Sequence, residues 1–283
     1  MERRLDNVIL LLPTPLLLSK EMFQATKSFI TYRIVFFVIH LTILVKFLGD
    51  RDRTPSPREY YNHSMTANIR AVIFDMDGVL TDSEPLINAA AIAMFKEKGL
   101  DVLPADFIPF VGAGEERYVG GVAEKYHFPL DAAAGKQRTY EIYFELVPTQ
   151  LEAFPGVPEL VDACQKAGLR VAVASSADRI KVSVNLQKIG LPIESWDAVV
   201  TGELVEHKKP APDIFLLAAQ TLGVLPAECV VVEDAANGIQ AARAAGMRCV
   251  GVAHTLTSES LQAADVVREK ISNVKISDLA PDV

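Results

Sequence analysis

Two carboxylates stand two positions apart directly after a run of four apolar residues. The run, residues 71–74, reads Ala-Val-Ile-Phe, and Asp75, Asp77 and Gly78 follow it. A short run that is apolar throughout is typical of a parallel strand buried on both faces. Ligands of open α/β sheets bind beyond the carboxyl ends of the strands, so Asp75 and Asp77 lie where catalytic groups belong. The alternative is a simple turn, which Asp and Gly also favour.

Three later apolar runs also end in polar residues that could do chemistry. In chain order these are Ser175 with Ser176, Lys209, and Glu233 with Asp234. Because the carboxyl ends of parallel strands meet at one edge of a sheet, we expect these side chains to lie near the first two acids. The recurrence favours a functional site over an isolated turn. A helix N-cap remains an alternative for the two serines and for Asp234.

The pattern of apolar residues predicts two kinds of structure. From residue 155 onward strand-like runs alternate with helical ones, which predicts an α/β fold with a Rossmann-like core, a parallel sheet covered by helices on both faces. Residues 83–154 show helical periodicity alone, for example in 86–95,. We therefore predict a core of residues 65–82 and 155–283, with a small all-helical domain at 83–154 inserted after the first strand.

This ordered set resembles the haloacid dehalogenase superfamily of phosphohydrolases, in its β-phosphoglucomutase-like subfamily. The resemblance covers roughly residues 69–279 and is closest in 209–215, Lys-Pro-Ala-Pro-Asp-Ile-Phe, and in 233–238, Glu-Asp-Ala-Ala-Asn-Gly. Residues 174–181 also resemble the phosphatase-like domains of plant suppressor-of-quenching proteins. The resemblance implies that the helical insertion is a cap that closes over an active site.

The acidic residues suit phosphoryl transfer assisted by a metal. Asp75 is placed to be a nucleophile that forms an aspartyl-phosphate, and Asp77 to be a general acid and then a base. Two carboxylates this close raise each other's pKa unless a cation lies between them, and Mg²⁺ prefers such oxygen ligands. The metal ligands are predicted to be Asp75, Asp77 and Asp234, with Glu233 as a weaker candidate; in the family, Asp77 contributes its backbone carbonyl.

Three further residues are predicted to bind the phosphate. Ser175 and Ser176 end a strand where a helix begins, so a hydroxyl and free N–H groups can hold an anion. Lys209 is preferred to Lys208 because it directly precedes Pro210, as the phosphate-binding lysine of the family does. These residues complete a site for a phosphorylated substrate.

We predict a Mg²⁺-dependent phosphatase that acts on a small phosphorylated metabolite. A mutase of the β-phosphoglucomutase type is the first alternative, although that enzyme's pattern has His where this chain has Ile87, and Arg in the cap loop where it has Glu115. Substrate specificity is assigned to Glu115, Glu116 and Arg117. The second alternative is a non-catalytic, anchored regulatory protein that binds a phosphorylated ligand.

Residues 1–64 differ in charge from the rest of the chain. They hold 9 Lys/Arg and 6 Asp/Glu, a balance of +3, which leaves −11 for residues 65–283 out of a total of −8. The acidic body argues against a nucleic-acid partner. The apolar run 34–45 is shorter than the ~20 residues of a spanning helix, and 29–49 reaches that length only by including Arg33 and Lys46.

Residues 1–64, here called the leader, and the three cysteines give information about the cellular compartment of the protein. Residues 1–64 fit either a membrane anchor with a linker or a mis-assigned start before Met65, and membrane contact is expected only through residues 29–49. Three isolated cysteines, without a C-x-x-C pair, indicate core thiols in a reducing compartment,. The catalytic part is therefore predicted to be cytoplasmic.

Overall fold

The computed structural model describes residues 68–112 and 114–281, which form one sheet covered by helices. Its strands are β1 (Ala71–Phe74), β2 (Arg170–Ser175), β3 (Ala198–Thr201), β4 (Cys229–Glu233), β5 (Arg248–Val252) and β6 (Val266–Arg268). They are all parallel and lie in the order β3-β2-β1-β4-β5-β6. The predicted α/β class with a Rossmann-like parallel sheet is confirmed.

The helices fall into two groups along the chain. Those of the insertion are α1 (Glu84–Glu97), a 3₁₀ helix (Pro104–Phe110), α2 (Glu115–Lys125) and α3 (Ala132–Gln150). Those of the core are α4 (Val157–Lys166), α5 (Arg179–Lys188), α6 (Asp213–Leu222), α7 (Ala236–Ala244) and α8 (Ile276–Leu279). Across residues 68–281, gaps aside, we find no helix with the length and apolar character of a membrane span.

Both faces of β1 are buried, which explains why all of its residues are apolar. Val72 and Phe74 pack into one apolar cluster together with side chains of α4 and α5. Ala71 and Ile73 point the other way and pack with side chains of α6 and α7. Successive side chains of a strand alternate between faces, so a central strand needs four apolar residues in a row to fill both clusters.

The strand register brings several chain segments to one edge of the sheet. Phe74, the last residue of β1, is paired with Val173 in β2 and with Val232 in β4. Ser175 ends β2 and Glu233 ends β4, so both lie within two positions of the end of β1. The residues that follow these three strands are therefore neighbours across the sheet.

The two chain segments that connect the core to the insertion lie side by side. Thr81 and Ala153 form an antiparallel bridge. One hydrogen bond flanks this bridge on each side. The N–H of Phe154 donates to the carbonyl of Leu80 at 3.1 Å, and the N–H of Asp82 donates to the carbonyl of Glu152 at 3.3 Å. The chain thus leaves and re-enters the core at one place. The boundary of the cap at 83–154 remains a prediction.

The insertion has an apolar core of its own. Its buried members come from α1, the 3₁₀ helix, α2 and α3 and include Met94, Phe95, Phe107, Val122 and Tyr143. Rings within it pack in tilted and edge-on arrangements; for example, the centres of Phe107 and Tyr118 are 4.8 Å apart. A separate core makes the insertion a compact body beside the sheet.

Two elements near the end of the chain were not expected from the sequence. Strand β6 and helix α8 were not predicted, because three half-buried residues and a single helical turn give little periodicity.

The three cysteines are free and buried, and burial raises the pKa of the Cys164 thiol to about 12, which agrees with core thiols. The leader lies outside the described residues.

Candidate active site

Asp75 is the first residue after β1, and its backbone is tied to the neighbouring strand. Its N–H donates to the carbonyl of Val232 at 3.0 Å. Its carboxylate is buried, and Oδ1 lies 2.5 Å from Nζ of Lys209. The sheet therefore fixes a carboxylate at the floor of a pocket, beside a buried cation.

Lys209 carries its charge inside the protein between two carboxylates. Nζ lies 2.5 Å from Asp75 Oδ1 and 2.6 Å from Glu233 Oε1, and it lies 5.0 Å from the centre of the Phe215 ring. Burial alone would lower the pKa of Lys209, but the charges of Asp75 and Glu233 hold it above its ordinary value,. Lys209 therefore remains an ammonium group at this edge of the sheet.

Glu233 uses both carboxylate oxygens within the protein. Oε1 accepts from Lys209, and Oε2 accepts the backbone N–H groups of Asp234 and Ala235, each at 2.8 Å. Gly238 lies so close that a Cβ there would overlap the carboxylate. These contacts orient Lys209. Glu233, predicted as the weaker candidate for a metal ligand, thus binds the lysine instead.

Asp234 packs against the turn that follows β1. Gly78 has φ +83°, a conformation that side chains disfavour, and a Cβ there would overlap the Asp234 carboxylate,. Helix α7 begins at Ala236 with Ala235 at its N-cap, so Asp234 is not the cap of that helix. The alternative role considered for Asp234 therefore does not apply.

The pKa values of Asp75 and Asp234 indicate that this part of the pocket suits a cation. Burial is the main cause that raises the pKa of Asp75 to about 7, and burial with the charges of Glu233 and Asp75 raises that of Asp234. No group of three or more His, Cys, Asp or Glu side chains in the described chain has a metal-binding arrangement. Mg²⁺ retains several waters and needs few protein carboxylates, so a site with two suits it.

Asp77 lies at the pocket edge and is held by two side chains. Oδ1 accepts a short hydrogen bond from the Ser83 hydroxyl, and Oδ2 lies 3.1 Å from Nζ of Lys181. About a quarter of the Asp77 side chain is exposed (25%). Asp77 is thus accessible from the pocket, in contrast to the buried Asp75.

The two serines line the same pocket as Asp75 and Lys209. Ser175 is buried, and its hydroxyl accepts the N–H of Ala177 at 3.1 Å. Helix α5 begins at Arg179, with Asp178 at the N-cap position. Neither serine caps that helix, so the N-cap alternative is wrong.

Lys181 is a pocket residue to which the sequence analysis assigned no role. It lies on α5, is buried, and places Nζ 3.0 Å from Glu115 Oε1 as well as 3.1 Å from Asp77 Oδ2. It also lies 5.7 Å from the centre of the Tyr143 ring. Its helical spacing from buried Asn185 is a signal that could have placed it on an inward face,.

The three predicted specificity residues separate in space. Glu115 is buried at the start of α2 and lines the pocket. Glu116 is exposed. Arg117 lies 2.8 Å from Glu124, over the ring of Phe110, with about half of its side chain exposed. Of the three, only Glu115 contributes to the pocket wall.

The pocket has a volume of about 320 Å³ and a strongly acidic lining. Its acidic side chains are Asp75, Asp77, Glu84, Glu115, Glu233 and Asp234, and its basic ones in the described chain are Lys181 and Lys209. Each of the two lysines is shared by two carboxylates. Such a pocket needs a further cation to hold an anion beside these carboxylates.

The model of the haloacid dehalogenase-like hydrolase family matches residues 69–246. This chain belongs to that family. The resemblance noted in the sequence is confirmed, and the family match covers the whole helical insertion and the strands that bear the pocket residues. The chain is therefore a haloacid dehalogenase-like hydrolase.

Two relatives place this hydrolase more narrowly. It is 49% identical over 216 residues to Protein SUPPRESSOR OF QUENCHING 1, chloroplastic, of Arabidopsis thaliana; the match covers 75% of this chain and 20% of that protein. The hydrolase thus spans about a fifth of the length of that relative. It is also 38% identical to the fructose-1-phosphate phosphatase YqaB of Escherichia coli, over 64% of this chain and 95% of that one.

A solved structure shows the same fold. The hydrolase superposes on the crystal structure of β-phosphoglucomutase from Clostridium difficile with a TM-score of 0.66 and 25% identity, over 74% of this chain. That match covers 95% of the mutase chain. The predicted likeness to the β-phosphoglucomutase-like subfamily is confirmed by this structure.

Proposed function

We propose that the chain is a Mg²⁺-dependent phosphatase that hydrolyses a sugar phosphate through an aspartyl-phosphate. The observation that carries this proposal is the buried triad of Asp75, Lys209 and Glu233 at the end of β1, beside the carboxylate of Asp234. A carboxylate next to a fixed ammonium group can receive a phosphoryl group whose oxygens the ammonium holds. The sugar phosphate class is supported by the E. coli relative, which is named a fructose-1-phosphate phosphatase.

In the first step, an Asp75 oxygen attacks phosphorus in line with the leaving oxygen. The bond from phosphorus to the leaving oxygen breaks, and Asp77 gives that oxygen a proton. Lys209 and the hydroxyl of Ser175 hold the non-bridging oxygens. Glu233 does not touch the substrate; it positions Lys209.

In the second step, water attacks the phosphorus of the aspartyl-phosphate. Asp77, now ionised, takes a proton from the water, and the bond between phosphorus and Asp75 breaks. The products are inorganic phosphate and the original carboxylate. Bound Mg²⁺ supplies positive charge for the phosphate, and Asp75, Asp234 and the Asp77 carbonyl would hold it.

Two features favour hydrolysis over a mutase reaction. Ile87 and Glu115 both line the pocket, at the positions where the mutase pattern has His and Arg. An apolar side chain cannot exchange protons, and a carboxylate repels the second phosphate of the bisphosphate that a mutase must turn over. A product assay distinguishes the two reactions, because a mutase would isomerise the substrate without releasing phosphate.

The test is phosphate release by the full chain from a panel of sugar phosphates. Activity should require Mg²⁺, disappear with a chelator and return on adding Mg²⁺. Asp75→Asn should abolish turnover because it removes the acceptor, whereas Asp82→Asn, a nearby exposed residue, should retain it. Full activity in chelator, or an active Asp75→Asn variant, contradicts the mechanism.

The location in the cell stays a prediction. The Arabidopsis relative is named as chloroplastic, whereas the sequence analysis predicts a cytoplasmic catalytic part. Residues 29–49, the only segment expected to contact a membrane, lie outside the described residues. The absence of a nucleic-acid partner is also a prediction.

A further inference from the structure

The cap side of the pocket lacks the carboxylates that we propose as Mg²⁺ ligands on the phosphate-binding side. We define the cap-side cluster as Glu84, Glu115, Tyr118 and Lys181, which all line the pocket. We propose that this cluster selects substrates with one phosphate and neutral hydroxyl groups, and rejects a substrate that carries a second phosphate or a carboxylate. The inference rests on the proposed phosphatase function and specifies its substrate class.

The single cation of the cap-side cluster is already neutralised. Nζ of Lys181 lies 3.0 Å from Glu115 and 3.1 Å from Asp77. Lys209 is paired with two carboxylates in the same way, but the proposed Mg²⁺ would add positive charge beside Asp75 and Asp234, and the cap-side cluster has no such site,. Glu84 adds a further acid, so a second phosphate would meet a carboxylate at each side and no free ammonium group.

Hydroxyl groups find acceptors at the same place. Glu84 Oε1 accepts from the Tyr118 hydroxyl at 3.1 Å, and Glu115 Oε1 accepts from Lys181. Oε2 of Glu84 and Oε2 of Glu115 accept no hydrogen bond from the residues that the structure describes. A sugar hydroxyl can donate to either oxygen. The gain is largest at Glu115, which is buried, whereas Glu84 is half-buried,.

The other buried lysine cannot take a second anion in place of Lys181. Lys209 lies between Asp75 and Glu233 and, in the proposed mechanism, holds the phosphate that is transferred. Arg117, the nearest cap arginine in sequence, is bound to Glu124 and does not line the pocket. The charge arrangement therefore leaves the transferred phosphate as the one anionic group that the pocket can hold.

The first experiment compares matched substrates. We expect kcat/KM to be about 100-fold higher for fructose 1-phosphate than for fructose 1,6-bisphosphate, because like charges brought together cost several kcal/mol. Glucose 6-phosphate should be preferred to 6-phosphogluconate for the same reason. Values within about threefold of each other in both pairs would overturn the inference.

A variant of Glu115 tests the cause of the selectivity. Glu115→Gln removes the charge that neutralises Lys181, so the ammonium group can bind a second phosphate and the preference should fall about tenfold or more. Glu116→Gln is the matched control, with the same charge change next to it on an exposed position outside the pocket. Equal preferences in these two variants contradict the inference.

Two further measurements keep the inference testable. Lys181→Met removes the ammonium group, so it should not relax the preference as Glu115→Gln does; relaxation in both variants would argue against a role for charge.

Titration calorimetry on Asp75→Asn measures binding without turnover: fructose 1-phosphate should bind more tightly than the bisphosphate. Tighter binding of the bisphosphate, or binding of neither sugar, overturns the inference, whereas phosphate release from p-nitrophenyl phosphate tests the proposed function separately.

Discussion

Two fully enclosed lysines, Lys209 and Lys181, hold the pocket together in different ways. Lys209 joins two carboxylates of adjacent strands, at 2.5 and 2.6 Å. Lys181 joins a carboxylate of the turn after β1 to one of the insertion, at 3.1 and 3.0 Å. The first cluster lies within the sheet, and the second crosses from the sheet to the cap.

In the proposed function, the Lys209 cluster carries the chemistry and the Lys181 cluster the selectivity. Strands β1 and β4 fix the partners of Lys209, so their geometry depends on backbone hydrogen bonds of the sheet. The partner of Lys181 in α2 depends on the position of the cap. Substitutions around Lys209 should therefore affect every substrate, whereas substitutions around Lys181 should affect substrates unequally.

The largest effect is expected from Lys209→Met. It leaves Asp75 and Glu233 buried without their cation, which should lower the free energy of unfolding by about 3–5 kcal/mol. It should also lower kcat for every sugar phosphate by at least about 10²–10³-fold. Denaturant unfolding and phosphate release measure these effects. Lys208→Met, whose side chain donates to the Gly202 carbonyl outside the pocket, is the control, and a comparable loss there would contradict the assignment.

The next effect is expected from Asp77→Asn, at the junction of the two clusters. The amide cannot supply a proton, so sugar phosphates should lose about 10²–10⁴-fold in kcat. The loss should be smallest for p-nitrophenyl phosphate, whose leaving group needs no proton. Equal losses for both substrates would remove Asp77 from the acid and base role. Asp82→Asn serves as the control with the same change of charge.

Lys181→Met should destabilise the protein less than Lys209→Met does. Asp77 is a quarter exposed, so water can solvate it when the lysine is lost, and we expect a decrease of about 1–3 kcal/mol in the free energy of unfolding,. Parallel denaturant titrations of both variants give the comparison directly. A larger loss for Lys181→Met would reverse the distinction between the two clusters.

The smallest expected effect is a pH dependence of stability near Lys209. The pKa of Asp75 is raised to about 7, above its ordinary value of 3.8, mainly by burial. The folded protein therefore binds a proton between these values that the unfolded chain has released, and this contribution to stability is lost as pH rises through about 7. Mg²⁺ competes with that proton, so it should raise Tm more at about pH 8 than at about pH 6.

A thermal-shift titration with Mg²⁺ tests this pH dependence without an activity assay. Asp75→Asn should reduce the difference between the two pH values, while Asp234, whose pKa burial also raises, keeps the remainder; Asp82→Asn should retain the whole difference. An equal Mg²⁺ shift at both pH values in the unaltered protein would show that Asp75 does not bind the metal.

Much of the Lys209 cluster could be predicted from the sequence. Asp75, Lys209 and Asp234 follow apolar runs, and parallel strands bring the ends of such runs to one edge. The pairing of Lys181 with Glu115 could not, because it depends on where the cap places the start of α2, and 66 positions separate the two residues.

The antiparallel bridge between Thr81 and Ala153 has a consequence for the evolution of the protein. Because the chain leaves and re-enters the core at one bridged point, the seventy or so residues between can be replaced by another insertion without moving the strands,. The sheet would keep its carboxylates and Lys209, while the new insertion brings a different partner, or none, to Lys181. Exchange of this one gene segment would then change the selectivity that we propose for the protein and leave the residues of the proposed chemistry in place.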